Sequence, residues 1–189
     1  MNQLYRKWYM AKDIMNLLGV SSGQLFHWGR TWGLIKPDVK ARGRAFKDKY
    51  SFRNLLDIAL IKELNDLGFE PSKIKEIMAP FRKGPWMKKG MKGTILDYYK
   101  AGREDSEEYI DEKETWEPYP GYDKDALYIL IEKKADGDYS LGLPGNIKHI
   151  FGLVANSMKI LQSDAPKTNI IINLSAIVKE LEEKTGERL

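Results

Sequence analysis

The stretch from Met10 to Trp32 constrains the fold more than any other part of this chain. Met10, Ile14, Leu17 and Leu18 recur at the three- and four-residue steps of one helix face. The pattern stops at Gly19, a residue suited to the left-handed conformation that ends helices. After Val20, either Ser21 or Ser22 is placed to cap a second helix, on which Leu25, Trp28 and Trp32 fall on one face. Two short amphipathic helices joined by Gly-Val-Ser have the sequence form of a helix-turn-helix. Gly33 closes the second helix, and Pro37 prevents its continuation.

The elements that follow fit around this pair. Residues 38–50 are strongly basic with Gly43 at a turn, and they read as a short two-stranded wing. Ser51 is placed to cap a third helix to Leu67, with Leu56, Leu60, Leu64 and Leu67 as its buried stripe and Gly68 at its end. Pro71 opens a fourth helix that packs through Ile74, Ile77 and Met78 and is expected to stop at Pro80.

Beyond Pro80 the pattern weakens. Residues 81–121 read as a linker, with a short helix over 94–100. It is basic first (Lys83, Lys88, Lys89 and Lys92 around Trp86) and then acidic over 104–117. The basic cluster is either an extension of a binding surface or a solvated linker. The acidic stretch is a candidate competitor for the basic face. Residues 122–189 form a second ordered region. Ala126–Lys133 reads as a buried strand, Ala135–Asp138 as a hairpin turn into a strand over 139–143, Asn146 as the cap of a helix to Gln162, Thr168–Asn173 as a strand, and Ser175 as the cap of a last helix to Lys184. The expected architecture is mainly α: an N-terminal winged helix-turn-helix, residues 1–80, and a small C-terminal α+β domain, residues 122–189, in the order β-β-α-β-α.

Charge separates the two ends. Residues 1–93 hold 19 Lys+Arg against 8 Asp+Glu, whereas residues 94–189 hold 12 against 19. An asymmetry of this size points to a polyanionic partner for the N-terminal half, or to a solvated basic surface. The chain has no cysteine, which removes disulfides and thiol chemistry. Its start is polar and basic, and no run approaches the ~20 apolar residues of a membrane span, so a cytoplasmic, nucleoid-associated protein is expected.

Four segments together resemble the MerR type of transcriptional regulator. They are Tyr9-Met-Ala-Lys-Asp-Ile through Leu18-Gly-Val-Ser-Ser-Gly-Gln-Leu25, Trp28-Gly-Arg-Thr-Trp-Gly-Leu-Ile-Lys-Pro37, Tyr50-Ser-Phe-Arg-Asn-Leu-Leu56, and Leu64-Asn-Asp-Leu-Gly-Phe69 with Ile74-Lys-Glu-Ile77. The resemblance covers residues 8–79, and the second segment is similar to the curli-type and carotenoid-type branch. It implies a sequence-specific double-stranded DNA-binding regulator, a homodimer, and contact with RNA polymerase. Two features depart from the family. Phe26 stands where an arginine usually meets DNA. Pro80 and the glycines at 84, 90 and 93 stand where a long dimerisation helix usually begins, so dimerisation is expected to use another surface, and the C-terminal domain is expected to serve dimerisation or effector sensing.

The residues expected to meet DNA follow from the recognition-helix geometry, in which N-terminal outward side chains enter the major groove. They are Ser22, Gln24, His27, Arg30 and Thr31. Gln24 suits an adenine edge and Arg30 a guanine or phosphate, while Gly23 permits close backbone approach. His27 is a DNA contact or an ordinary exposed histidine. Trp28 and Trp32 are expected in the core rather than stacked on bases. On the wing, Lys40, Arg42, Arg44, Lys47 and Lys49 are expected along phosphates or in a minor groove. Arg53 resembles a phosphate contact of the family.

Neither histidine, His27 nor His149, has a convincing carboxylate partner by spacing, and no nucleotide loop, zinc motif or nucleophile elbow is present. Leu141-Gly-Leu-Pro-Gly145 is no more than a strand-to-helix turn. The C-terminal region also lacks the histidine motif by which carotenoid-type relatives hold cobalamin. No enzymatic activity, metal or cofactor is therefore expected. Two other readings remain: an excisionase-like architectural factor that bends DNA in a mobile element, and a protein-interaction adaptor whose helix-turn-helix has lost DNA.

Overall fold

The structure is a computed structural model that describes residues 8–41, 47–83, 126–133, 137, 139–141 and 168–187. The N-terminal unit contains α1 (Ala11–Leu18), α2 (Ser22–Phe26), a π-helical turn (His27–Thr31), α3 (Phe52–Asp66) and α4 (Pro71–Lys83). The C-terminal unit contains β1 (Tyr128–Lys133), β2 (Tyr139–Leu141), β3 (Thr168–Asn173) and α5 (Leu174–Thr185). The expected helices over 94–100 and 146–162 and the acidic stretch 104–117 lie outside the described residues, as does the order of elements between β2 and β3.

The core of the N-terminal unit is built around α3. Phe52, Leu55, Leu56, Ile58, Ala59, Leu60, Ile61 and Leu64 are all buried, so the helix is covered on nearly every side rather than along one stripe. Leu67, expected in that stripe, is exposed. It is the C-cap residue, where the helix has ended and Gly68 (φ 85°) turns the chain away. Trp28, Leu34 and Ile14 close the core against the helix-turn-helix, and Ile74, Ile77 and Met78 of α4 close it on another side.

The fourth helix does not stop at Pro80 but continues to Lys83. A proline removes its own N–H and so one backbone bond, the one that would reach the carbonyl of Glu76. With Ile74, Ile77 and Met78 already anchoring the helix, one missing bond does not end it.

The sheet is antiparallel throughout, in the order β2-β1-β3. Ile131 pairs with Leu141 on one side of β1 and with Ile170 on the other. Ile129, Leu130 and Ile131 are consecutively buried, so β1 is covered on both faces. That explains why it reads as a continuous apolar run. β3 runs directly into α5, and Asn173, not Ser175, caps the helix: its Oδ1 accepts from the Ala176 N–H at 2.9 Å. The Ser175 hydroxyl is used elsewhere, accepting from the Leu127 N–H at 2.8 Å and tying α5 to the start of β1.

α5 packs on α1, α3 and β1, while β2 packs on α4. Val178, Leu181, Ile129 and Ile172 join one continuous buried cluster with Ile14, Leu56 and Trp28. Across this junction the Phe69 and Tyr139 rings meet edge to face at 5.3 Å. The Lys184 Nζ donates to the Leu17 carbonyl at 2.9 Å, capping the end of α1 from a distant part of the chain. Tyr9 donates its hydroxyl to the Glu187 carboxylate. Among the described residues, no helix is long and apolar enough to cross a membrane.

Candidate nucleic-acid interface

The helix-turn-helix is set by local hydrogen bonding. The Asp13 carboxylate accepts from the Met10 N–H at 2.8 Å, fixing the start of α1. Gly19 takes φ 67° and donates its N–H to the Met15 carbonyl at 2.9 Å, which ends the helix. Val20 then turns inward, 4% exposed, so the linker is pinned to the core. Ser21 starts α2 with a reciprocal capping box: its Oγ accepts from the Gln24 N–H at 3.1 Å, and Gln24 Oε1 accepts from the Ser21 N–H at 2.9 Å.

After Phe26 the helix widens by one residue per turn. The Trp32 N–H reaches the His27 carbonyl at 2.8 Å, a five-residue step. Trp28 remains fully buried, and its carbonyl accepts from both Leu34 (2.7 Å) and Ile35 (3.3 Å), which closes the exit of the helix. Gly33, at φ 64°, makes that turn. Trp32 is only half-buried, against the sequence expectation of a core residue. The extra residue in the π-helical turn rotates it off the face shared by Leu25 and Trp28, and it stacks on His27 instead, with centroids 5.7 Å apart and planes at 28°.

This arrangement leaves two exposed lines on α2 and its extension. Ser22, Phe26 and Arg30 form one, at four-residue steps, and Gly23, His27 and Thr31 form the other, while Gln24 and Gly29 are half-covered. The His27 Nδ1 and Thr31 Oγ1 lie 3.3 Å apart, so the second line is internally ordered. The first line borders an open cleft of about 730 Å³. Its opposite wall carries Lys36, Lys40 and Asp48, and its floor includes Leu25 and Ile35.

The far wall is held by backbone pairing. Val39 and Lys49 exchange N–H···O bonds of 3.2 and 2.9 Å, an antiparallel bridge at the base of the stretch read as a wing. Asp48 Oδ1 accepts from the Ala41 N–H at 2.8 Å. Tyr50 exchanges backbone bonds of 2.8 and 2.9 Å with Tyr9. Two side chains then latch this base onto α3. Asp38 Oδ2 accepts from the Ser51 N–H at 3.1 Å, and buried Asn54 donates through Nδ2 to the Lys36 carbonyl at 3.0 Å. Asn54 Oδ1 accepts from the Ser51 N–H at 3.3 Å, so Ser51 occupies the N-cap position while Asn54 supplies the side-chain bond.

Arg30 and Asp48 face each other across the cleft at 3.6 Å, with side-chain exposures of 54% and 22%. A pair this exposed contributes little stability. Its effect is to orient the guanidinium. The Tyr50 hydroxyl at the base has its pKa raised, first by burial and then by the negative charge of Asp48, partly opposed by Arg30.

The residues singled out from sequence are thus distributed unevenly. Ser22, Arg30 and Lys40 share the cleft, and His27 and Thr31 lie on the adjacent exposed line. Gln24 is half-buried with its carbonyl oxygen engaged in the cap. Lys47 is exposed, Lys49 and Arg53 are half-buried, and these three are outside the cleft lining. Arg42 and Arg44 lie outside the described residues. Lys36 and Asp48 were not foreseen. Lys36 was visible as the basic residue before Pro37, and Asp48 as an acid between two lysines.

Residues 9–80 match the family model of MerR HTH family regulatory proteins, which bears out over that stretch the resemblance seen in the sequence. No curated protein matches the chain.

Proposed function

We propose that this MerR-type helix-turn-helix serves a sequence-specific DNA-binding regulator of transcription, with α2 and its π-helical extension in the major groove and the basic wing along the backbone. The observation that carries the reading is the exposed double line on that element, where Ser22, His27, Arg30 and Thr31 offer hydrogen-bonding or cationic groups beside an open cleft. Hydrogen bonds from such side chains read base edges, and the basic residues supply affinity without sequence information. Lys40, Arg42, Arg44, Lys47, Lys49 and Arg53 are assigned to phosphates, and Gln24 to a base edge through its amide nitrogen.

The C-terminal unit, residues 122–189, is assigned to dimerisation or effector sensing, with the β-β-α-β-α order read from the sequence. Its packing on α1 and α3 supports a role in setting the pose of the helix-turn-helix. RNA polymerase is the further partner that regulation of this type implies, and the cytoplasm the compartment. The family match favours a binding protein over an enzyme.

The test is the salt dependence of binding to fragments selected from a random DNA library. Five or six phosphate contacts give a log–log slope of about −5. A slope near zero on a selected site removes the proposal. Arg42→Ala/Arg44→Ala should weaken all sequences alike and reduce the slope by about two.

A further inference from the structure

Phe26 is the most exposed large apolar side chain among the described residues, at 60%. Single exposed apolar residues are ordinary on protein surfaces, so exposure alone decides nothing. Position does. Phe26 lies between Ser22 and Arg30 on the line that borders the cleft and next to His27 on the other line, at the middle of the outward face. Any ligand that engages Ser22 and Arg30 together must cover it.

Its ring is also held in place. Phe26 meets His27 edge to face at 5.8 Å and 81°, and His27 in turn stacks on Trp32 and lies 3.3 Å from the Thr31 hydroxyl. A side chain ordered in this way loses little freedom on contact. It has no donor or acceptor, so it reads neither phosphates nor polar base edges. The major groove offers one apolar feature to such a group, the C5 methyl of thymine.

We propose that Phe26 is a specificity-determining residue that packs against the 5-methyl group of a thymine in the major groove. The inference rests on the DNA-binding reading above and adds a base to it. The flanking Ser22 and Arg30 place the neighbouring contacts one helical turn to either side.

The experiment uses the full chain and the sequence selected from the random library. Each thymine is replaced in turn by uracil, which removes the methyl and nothing else, and affinity is measured by fluorescence anisotropy. At one thymine, uracil should weaken wild-type binding about fourfold, the value of burying one methyl-sized group. The same replacement should have no effect on Phe26→Ala, and Phe26→Leu should retain part of the dependence. Thermal melting of Phe26→Ala should match wild type, since the ring is outside the core.

Wild-type binding that is indifferent to uracil at every position overturns the inference and leaves DNA binding intact. So does a Phe26→Ala chain that keeps the methyl dependence, or that weakens all sequences equally, the behaviour of a ring packed on deoxyribose. A wild-type chain that selects no sequence at all overturns the DNA-binding reading itself.

Discussion

The helix-turn-helix has two sides, and they are built differently. The side toward α5 is closed. α1 is covered there, its C-terminal carbonyl at Leu17 is capped by Lys184, and Tyr9 is joined to Glu187. The side toward the cleft is open, with Phe26, His27, Arg30 and Thr31 all exposed. The closed side is held by apolar contact and a few bonds of very long sequence separation. On the open side the recognition element itself is set by bonds within a few residues of one another, and the cleft wall by bonds of intermediate separation such as Tyr9–Tyr50 and Asn54–Lys36. A binding surface can be rigid without being buried, provided that the element beneath it is fixed from behind.

The largest test of this division is Trp28, which is fully buried beneath the open face. Trp28→Ala should destabilise the chain by about 3–5 kcal/mol, read from urea unfolding followed by circular dichroism. Loss of DNA binding should track the unfolded fraction. A stable Trp28→Ala chain would mean that the exposed lines do not depend on the core behind them.

Leu181 offers the corresponding change on the closed side. It is 1% exposed and belongs to the same buried cluster as the N-terminal helices. Leu181→Ala should cost about 3 kcal/mol and lower a single unfolding transition, seen alike by tryptophan fluorescence and circular dichroism. No tryptophan lies in residues 122–189, and Trp8, Trp28 and Trp32 lie in the N-terminal unit, so fluorescence reports on that unit rather than on the C-terminal one. Two separate transitions, with the fluorescence midpoint unmoved, would break the comparison by showing that the C-terminal unit does not brace the other.

Much of the open side was legible in the sequence, because its causes are local. The spacing of Ile14 and Leu18, the glycine at 19, the Ser21-to-Gln24 capping pattern and the inward Leu25 and Trp28 all act within a turn or two. The closed side was much less legible. α3 reads as a one-sided stripe through Leu67, yet it is buried almost all round because α5, more than a hundred residues later, covers a second face. Tyr9 and Glu187 are 178 positions apart, a pairing that no periodicity can signal. Trp32 was misplaced for a subtler reason. The π-helical turn His27–Thr31, closed by the five-residue bond from Trp32 to His27, shifts the helical register, and side-chain spacing at 3.6 residues per turn cannot foresee it.

Between the two sides lies Asn54, 9% exposed, which donates to the Lys36 carbonyl and accepts from the Ser51 N–H. It joins the cleft's far wall to the central helix. Asn54→Ala takes the side-chain donor from the Lys36 carbonyl and leaves the Ser51 N–H to Asp38 alone, and it should cost about 2 kcal/mol, measured by urea unfolding. Hydrogen exchange of the Ser51 amide should rise more than that of α5. Equal loosening of both would show that Asn54 supports the whole fold rather than the cleft wall.

The smallest expected effect belongs to Tyr9, where the two sides meet. Its backbone pairs with Tyr50 at the base of the cleft wall, while its hydroxyl donates to Glu187 behind α5. Burial, and then the Glu187 carboxylate, raise the Tyr9 pKa well above the ordinary tyrosine value. The folded state therefore holds this proton more tightly than the unfolded chain, whose tyrosines ionise near pH ~10. Stability from this group is complete below about pH 10 and is lost as pH rises toward the folded value, because the unfolded state ionises first. Tyr9→Phe should cost about 1 kcal/mol at neutral pH. It should also flatten the decline in stability above about pH 10, where wild type loses its advantage. Tyr50 has its pKa raised as well and contributes in the same direction, so the decline in Tyr9→Phe should be reduced rather than abolished. An alkaline profile that superimposes on wild type would show that the Tyr9–Glu187 bond does not join the C-terminal end to the base of the cleft wall, and the closed side would then rest on apolar packing and Lys184 alone.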